Sequence, residues 1–291
     1  MPWKRDAFIE INGEKVSIAI QEPGPVEVVH LPPPPAVTWT NHQPVGHCIY
    51  CGATSRLSAE HIIPYGLGGT DVLLKASCAD CARETCKFEQ EVLRGPMRAA
   101  RIHRRLKSRT KHAGGPLTQR ATLIRASGEE DIDLPLAEYP ILLHFPTYGQ
   151  PGHLSGWSGA GITMTGMATV LFGPTPEVVA QKHGAREIRF TKSPMKPVAF
   201  ARMIAKIGLG YAVAGGFIAS IEGDSPVASC IRGSSDDVGQ WVFTDGSEPM
   251  RIPGYLHRVQ MHHMNGLLMA EVHLFADSGA PKYGVVLGKL K

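Results

Sequence analysis

Two Cys-x-x-Cys pairs constrain this chain more than any other feature of its sequence: Cys48-Ile-Tyr-Cys51 and Cys78-Ala-Asp-Cys81. Residues 52–77 lie between the pairs, and this segment is too short to bury a core of its own. Two such pairs are typical of one tetrahedral Zn²⁺ site with four thiolate ligands. A zinc site with four protein ligands has no open position for water, so we expect this zinc to be structural.

Cysteine usage also bears on the compartment. The chain has six cysteines, and four of them belong to the two pairs. This pattern favours metal binding in a reducing, cytoplasmic environment over disulfides. Cys86 and Cys230 have no partner motif, and we expect them to be ordinary buried thiols. A redox protein that uses zinc-free pairs is an alternative, but the spacing suits one zinc better.

The segment between the cysteine pairs carries two adjacent residues suited to hydrolytic chemistry, Glu60 and His61. Ser58–Ile63 predicts a short strand that bears both of them. Neighbouring residues of a flat strand point to opposite faces, so a bend near the end of the strand would be needed for both to approach one phosphate. Beyond the strand, three glycines predict a loop whose backbone can approach a ligand closely: Gly66, Gly68 and Gly69.

A helix is predicted over Ala82–Leu93, ended by Gly95-Pro96. Together with the cysteine pairs, the Glu60–Pro64 run (Glu-His-Ile-Ile-Pro) and Gly68-Gly69, it completes a pattern that resembles the HNH endonucleases of the ββα-metal superfamily, in their four-cysteine form. The resemblance covers residues 48–94. It implies a zinc-stapled ββα module that hydrolyses nucleic-acid phosphodiester bonds with the help of a catalytic Mg²⁺ or Mn²⁺.

The resemblance also implies individual roles. His61 would be the general base that activates water, and Glu60 would bind the catalytic cation. Two family positions do not match, because Leu73 stands where the family has an asparagine and Ala82 stands where it has a second cation ligand. Glu89, two helical turns beyond Ala82, is the best candidate to complete the cation site. Glu84 and Thr85 are weaker candidates, and a solvated helix glutamate is the alternative for Glu89.

A stretch whose charged residues are all basic follows the predicted helix. Residues 92–128 hold no acidic residue and ten basic ones, whereas the whole chain has a formal net charge of only +4. Four of the arginines recur at helical spacing and predict one basic stripe: Arg94, Arg98, Arg101 and Arg105. Next to a nuclease module, such a stripe favours contact with phosphates, which gives affinity without base specificity. A solvated charged face is the alternative.

The predicted fold class is α+β, in three parts. Residues 1–35 form a β-hairpin around Asn12-Gly13 and a four-proline linker, residues 36–113 form the HNH module with its basic extension, and residues 114–291 form a mixed α+β domain of unknown role. In the last part we expect the following elements: strands at 134–145, 162–172, 187–191, 255–262, 267–275 and 282–287, and helices at 176–183 and 197–213. Four histidines of the 255–275 hairpin are not expected to bind metal: His257, His262, His263 and His273.

The sequence therefore predicts a metal-dependent endonuclease that acts on nucleic acid, with DNA as the expected substrate. The alternative is a non-catalytic, zinc-stabilised nucleic-acid-binding protein. A homodimer is a further expectation, since one such site cuts one strand. No membrane partner is expected, because the chain has no apolar run long enough to span a bilayer and its N-terminus has no signal-peptide pattern.

Overall fold

A computed structural model describes residues 6–11, 14–19, 40–106, 117–190, 195–247 and 250–291. The predicted Asn12-Gly13 turn, the proline linker, the basic residues 107–111 and the boundary at 114–116 lie outside these residues. The structure is mixed α+β, with several small sheets and six α-helices in the described part of the chain. The predicted fold class is confirmed at this level.

The chain divides into two compact units, residues 1–31 and 32–291. The first contains an antiparallel hairpin of β1 (Asp6–Ile11) and β2 (Glu14–Ala19), in which Ile11 is paired with Glu14. The predicted N-terminal hairpin is thus confirmed in its two strands.

The larger unit begins with a three-stranded sheet and a long helix. Its strands are β3 (Thr40–His42), β4 (Leu57–His61) and β5 (Asp71–Cys78), and α1 (Ala79–Arg94) follows β5 directly. β5 lies in the middle, antiparallel to β4 and parallel to β3. The predicted helix is confirmed, since α1 ends at Arg94, directly before the Gly95-Pro96 signal.

The basic residues that follow do not share one helix. After α1 the chain turns, and α2 (Arg98–His103) is a separate helix of six residues. Arg105 lies beyond the end of α2 in the left-handed region, at φ 54°. The prediction of a single stripe is therefore wrong. Gly95-Pro96 interrupts the helix between Arg94 and Arg98, so regular helical spacing does not extend across it.

The remaining strands of the larger unit form three further sheets. The orders are β10-β6-β7, β8-β9 and β11-β14-β13-β12, and neighbouring strands are antiparallel throughout. The bounds of these strands are β6 (Thr118–Arg125), β7 (Gly128–Pro135), β8 (Ile141–Tyr148), β9 (Met164–Phe172), β10 (Glu187–Phe190), β11 (Val242–Thr244), β12 (His257–Met264), β13 (Leu267–Leu274) and β14 (Lys282–Lys289). The single strand predicted over 134–145 is wrong, because residues 136–140 separate β7 from β8.

Four more helices complete the unit. They are α3 (Gly152–Ser155), α4 (Pro176–Lys182), α5 (Pro197–Ala214) and α6 (Val227–Arg232). In the described segments, α5 is the one helix long and apolar enough to cross a membrane, but 67% of it is buried inside the protein. Such burial is typical of the core helix of a folded domain.

α5 is the element around which the larger unit packs. It contacts the helices α1 and α6 and the strands β13 and β14. One continuous hydrophobic core includes Ile62 and Phe88 of the predicted HNH module together with Phe200 and Val285. The segments predicted as separate domains, 36–113 and 114–291, therefore share one core in this structure.

Candidate metal centre and acidic pair

The four predicted zinc ligands come together at the junction of β5 and α1. The sulfur atoms of Cys48, Cys51, Cys78 and Cys81 all lie within 4.8 Å of one another. Zn–S bonds of about 2.3 Å in a tetrahedron place sulfurs about 3.8 Å apart, and Cys51 Sγ and Cys78 Sγ are separated by 3.6 Å. The donor set and its spacing therefore fit one structural Zn²⁺. The four cysteines of the cluster supply all of its ligands.

The backbone around the cluster also prepares it for a metal. The N–H of Cys81, in the first turn of α1, donates to the Cys78 sulfur and lowers the pKa of the Cys78 thiol to about 7, whereas burial raises the pKa of the Cys51 and Cys81 thiols. Gly52 adopts φ 73° directly after Cys51, a conformation that glycine tolerates best. Since thiolates are the form that binds zinc, a thiol that ionises near neutral pH favours metal uptake.

Glu60 lies on the side of β4 that is covered by helices. The register between β4 and β5 shifts between Ser58 and Glu60, because Ser58 is paired with Ser77 and Glu60 with Leu73. β5 thus contains two more residues than β4 over this interval, and its Lys75 adopts φ 49°. A bulge of this kind bends a strand and redirects its side chains. The Glu60 side chain is only 9% exposed.

Glu89 reaches the same place from α1. Glu60 Oε1 and Glu89 Oε1 each lie 2.9 Å from one common atom, the Nζ of Lys206. The two carboxylates that were predicted to share a divalent cation are therefore close together. The cation between them in this structure is a lysine ammonium, supplied by α5.

The weaker candidates for the cation site are engaged elsewhere. Glu84 pairs with Lys87 at 2.5 Å on the exposed side of α1. The hydroxyl of Thr85 donates to the carbonyl of Ala82. Of the three candidates named from the sequence, Glu89 is the one whose contacts place it beside Glu60.

His61 occupies the last position of β4, and its side chain is half-buried. Its ring packs edge to face against Tyr65, with the ring centroids 5.7 Å apart. Lys206 Nζ donates to the carbonyl oxygen of His61 and lies 3.4 Å from the carbonyl oxygen of Ile62. The imidazole is thus partly exposed with its Nδ1 buried, and its backbone carbonyl is bound by a lysine from the core.

The glycines of the following loop pack within the protein itself. A Cβ on Gly69 would lie 1.9 Å from the carbonyl oxygen of Ile63, and a Cβ on Gly66 would lie 2.7 Å from the guanidinium of Arg101. Gly68 adopts φ 84° at the end of a short 3₁₀ helix. The close approaches predicted for this loop are therefore made with the chain itself.

Tyr50 lies between the cysteine cluster and the acidic pair. Burial is the main cause that raises its pKa, and the nearby charges of Glu60, Glu89, Cys48 and Cys81 raise it further. Its hydroxyl has no hydrogen-bond partner among the described residues. The two sites are consequently neighbours that share one buried aromatic ring.

Lys206 is charged in this environment. Burial alone would lower the pKa of its ammonium, but the carboxylates of Glu60 and Glu89 raise it above its usual value. The side chain is 1% exposed. Sequence reasoning did not assign a role to Lys206, although a lysine on the apolar surface of a core helix is a signal that could have identified it.

The predicted phosphate-binding arginines have different environments. Arg94, Arg98 and Arg105 are exposed. Arg101 instead donates to the carbonyl oxygens of Gly66 and Leu93, and so holds the glycine loop against the end of α1. Three of the four arginines are therefore available to a ligand, and the fourth has a structural role.

A further basic group lies beside the cysteine cluster. A surface cavity of about 370 Å³ is lined there by residues that include Arg56, Arg83 and Arg232. Asp80 and Glu84 line it as well, so the cavity has mixed charge. Sequence reasoning missed it because Arg232 is far from the cysteines in sequence.

No protein-family model matches this chain, and neither the curated proteins nor the solved structures include a match to it.

Proposed function

We propose that this chain is an endonuclease that hydrolyses nucleic-acid phosphodiester bonds, with DNA as the expected substrate. The observation that supports this best is the hairpin of β4 and β5 followed by α1. In it, Glu60 of β4 and Glu89 of α1 both lie 2.9 Å from Lys206 Nζ, and Glu60 directly precedes the half-buried His61. The resemblance of residues 48–94 to HNH endonucleases implies the same arrangement of strands, helix and acidic residue.

In this proposal, His61 takes the proton from the attacking water. Imidazole is suited to this task because its ordinary pKa lies near neutral pH. The ring packs against Tyr65, which limits its orientation, and its backbone carbonyl accepts a hydrogen bond from Lys206. An imidazole whose orientation is already restricted loses less conformational entropy when substrate binds.

The metals implied by the resemblance fit this chain unequally. A structural zinc fits the four cysteines, whose sulfurs converge within 4.8 Å. A divalent cation between Glu60 and Glu89 does not fit, because Lys206 Nζ lies 2.9 Å from both carboxylates. The proposal therefore keeps His61 as the base and derives no step through Mg²⁺ or Mn²⁺.

A plasmid assay tests the proposal. Supercoiled DNA is incubated with wild-type protein or with His61→Ala, with and without Mg²⁺, and nicked and linear products are measured. We expect cleavage by the wild type that His61→Ala abolishes, while zinc content and thermal stability stay the same. His263→Ala is the matched control, because His263 is an exposed histidine near the C-terminal end of β12, six residues beyond the start of that strand at His257. Equal cleavage by His61→Ala and the wild type would refute His61 as the base.

The second candidate is a non-catalytic nucleic-acid-binding protein. It is favoured by the burial of Glu60 and Lys206, whose side chains are only 9% and 1% exposed, so that a phosphate could not reach them directly. Under this candidate the plasmid stays intact in every condition, and the wild type and His61→Ala retard the same DNA equally. The same samples therefore discriminate between the two functions.

A further inference from the structure

Lys206 is a buried charged residue that neither candidate function requires. It belongs to α5, whose neighbouring positions Ala205 and Ile207 are fully buried. A lone ammonium in such surroundings is unfavourable unless oxygen atoms replace the water that it has lost. Lys206 has four oxygen neighbours, and their chemistry indicates which cations this site can bind.

Those neighbours are two carboxylates and two main-chain carbonyls. Lys206 Nζ lies 2.9 Å from Glu60 Oε1, 2.9 Å from Glu89 Oε1 and 3.4 Å from the carbonyl oxygen of Ile62, and it donates to the carbonyl of His61. Carboxylate and carbonyl oxygens are also the ligands that proteins offer to hard divalent cations. The ammonium therefore lies in an oxygen cage of the kind that could otherwise bind such a cation.

The ammonium is fixed in this cage by the helix that carries it. One turn further along α5, Gly210 packs against Ile62, where a Cβ would lie 3.5 Å from the Ile62 side chain. α5 also packs against α1, α6, β13 and β14. A divalent cation could enter the cage only if the Lys206 side chain moved out of it. The ammonium of Lys206 would then lie in the apolar core without its oxygen neighbours.

We propose that the ammonium of Lys206 takes the place of a divalent cation between Glu60 and Glu89, so that the wild-type chain binds no Mg²⁺ or Mn²⁺ there. The ammonium would offset one of the two negative charges of the carboxylates, which leaves the cage with a net charge of −1. This inference deepens the proposed function and rests on it in one respect only: any cleavage at His61 would proceed without a divalent cation in this cage.

Mn²⁺ binding tests the proposal without any need for activity. Zinc-loaded wild-type protein is titrated with Mn²⁺ and followed by electron paramagnetic resonance of the free ion. We expect no saturable binding below about 1 mM, the weak end of the range for oxygen-ligand sites. One Mn²⁺ per wild-type chain, lost in Glu60→Gln, would overturn the proposal.

Removal of the Lys206 ammonium from the cage gives the reciprocal test. Lys206→Ala removes the ammonium and leaves the oxygens, so we expect one Mn²⁺ per chain, bound at least about tenfold more tightly than to the wild type. Adding Glu89→Gln should abolish this binding. Lys87→Ala, a surface lysine on α1, is the matched control and should behave as the wild type. A folded Lys206→Ala protein that gains no Mn²⁺ would contradict the assignment of the cage.

If Lys206→Ala does not fold, Lys206→Met is used in its place, because the methionine side chain fills a volume similar to that of lysine. If Lys206→Ala is unfolded, the wild-type titration and the Glu60→Gln comparison still decide the question. Cleavage is then measured in metal-depleted buffer after zinc content has been verified. Cleavage without added Mg²⁺ supports the inference, and strict dependence on Mg²⁺ bound through Glu60 and Glu89 overturns it. A wild type that neither cleaves DNA nor binds Mn²⁺ would refute the proposed function and leave the lysine assignment intact.

Discussion

The ring of His257 donates through Nε2 to the carbonyl oxygen of Leu67 at 2.7 Å, although 190 positions separate the two residues. The N–H of Phe275 donates to Nδ1 of the same ring at 3.1 Å. His257 begins β12, and Leu67 belongs to the loop that follows β4 and His61. A neutral imidazole, with one nitrogen donating and the other accepting, thus joins the C-terminal sheet to the glycine loop of the candidate site.

This contact predicts acid sensitivity. Burial lowers the pKa of His257 to about 4, whereas an unfolded histidine has a pKa of about 6.5. Between these values the unfolded chain binds the proton more tightly. The contribution of His257 is therefore complete above about pH 6.5 and is lost as the pH falls towards 4, by about 3 kcal/mol in total.

Urea unfolding at pH 7.5, 6 and 5 measures this effect. We expect His257→Gln to be less stable than the wild type at pH 7.5, because the buried imidazole and its two hydrogen bonds are lost. On acidification, the stability of this variant should fall less than that of the wild type. His263→Gln, an exposed histidine on the same strand, should follow the wild-type pH dependence. Parallel pH dependences for the wild type and His257→Gln would show that His257 does not titrate as the structure requires.

The cysteine cluster predicts one zinc per chain. Replacing a buried ligand, as in Cys81→Ser, should abolish zinc binding and the cooperative thermal transition of this region, since structural zinc contributes about 10 kcal/mol or more to folding. Cys86→Ser is the matched control. The prediction that Cys86 is buried is wrong, because it is an exposed thiol on the same helix and accepts a hydrogen bond from Gln90. Metal analysis and thermal unfolding of the two variants give the readout. A Cys81→Ser protein that retained full zinc content would contradict the four-thiolate site.

A second buried ion pair gives a stability prediction. Arg104, just after α2, donates to Asp277 near the end of β13, and the two side chains are only 5% and 10% exposed. Asp277→Asn would leave a buried guanidinium without its counter-charge, which costs about 3–5 kcal/mol. Asp131→Asn removes the exposed partner of Arg120 and should change stability little. Chemical unfolding at neutral pH distinguishes the two cases, and equal small effects would show that the Arg104–Asp277 pair does not contribute.

Local signals account for most of what the sequence predicted correctly. The cysteine pairs, the helix after them and the apolar helix α5 follow from spacing, end signals and periodicity, which act over a few residues. The predicted strand over 134–145 was wrong for a local reason as well. Pro135 is the last residue of β7 and Pro140 directly precedes β8, so the two prolines mark the turn that separates the strands.

Long-range pairings could not be read from the chain. Glu89 could be named as a partner of Glu60 because the resemblance placed both on one small module. Lys206 is 146 positions from Glu60 and lies in a segment with no recognised motif, so its role emerged only when α5 packed against α1. Its one local signal is a charge on an apolar helical surface, which reports burial but does not name a partner.

The exposed arginines predict a salt-dependent affinity for nucleic acid. Arg94, Arg98 and Arg105 are exposed, whereas Arg101 is held by the carbonyls of Gly66 and Leu93. If the first three contact phosphates of duplex DNA, replacing all three with Gln should lower the slope of log affinity against log salt by about 3 and weaken binding similarly for every sequence. Fluorescence anisotropy with two unrelated duplexes at several salt concentrations measures both quantities.

Two controls make this last prediction specific. Arg120→Gln and Arg189→Gln remove exposed arginines that pair with Asp131 and Glu129, so they should leave affinity and salt slope unchanged. Arg101→Gln should lower thermal stability, because the glycine loop loses its tie to α1, and should change the salt slope little in the fraction that stays folded. An unchanged slope in the triple variant would assign these three arginines to a solvated surface and would remove them from the nucleic-acid interface.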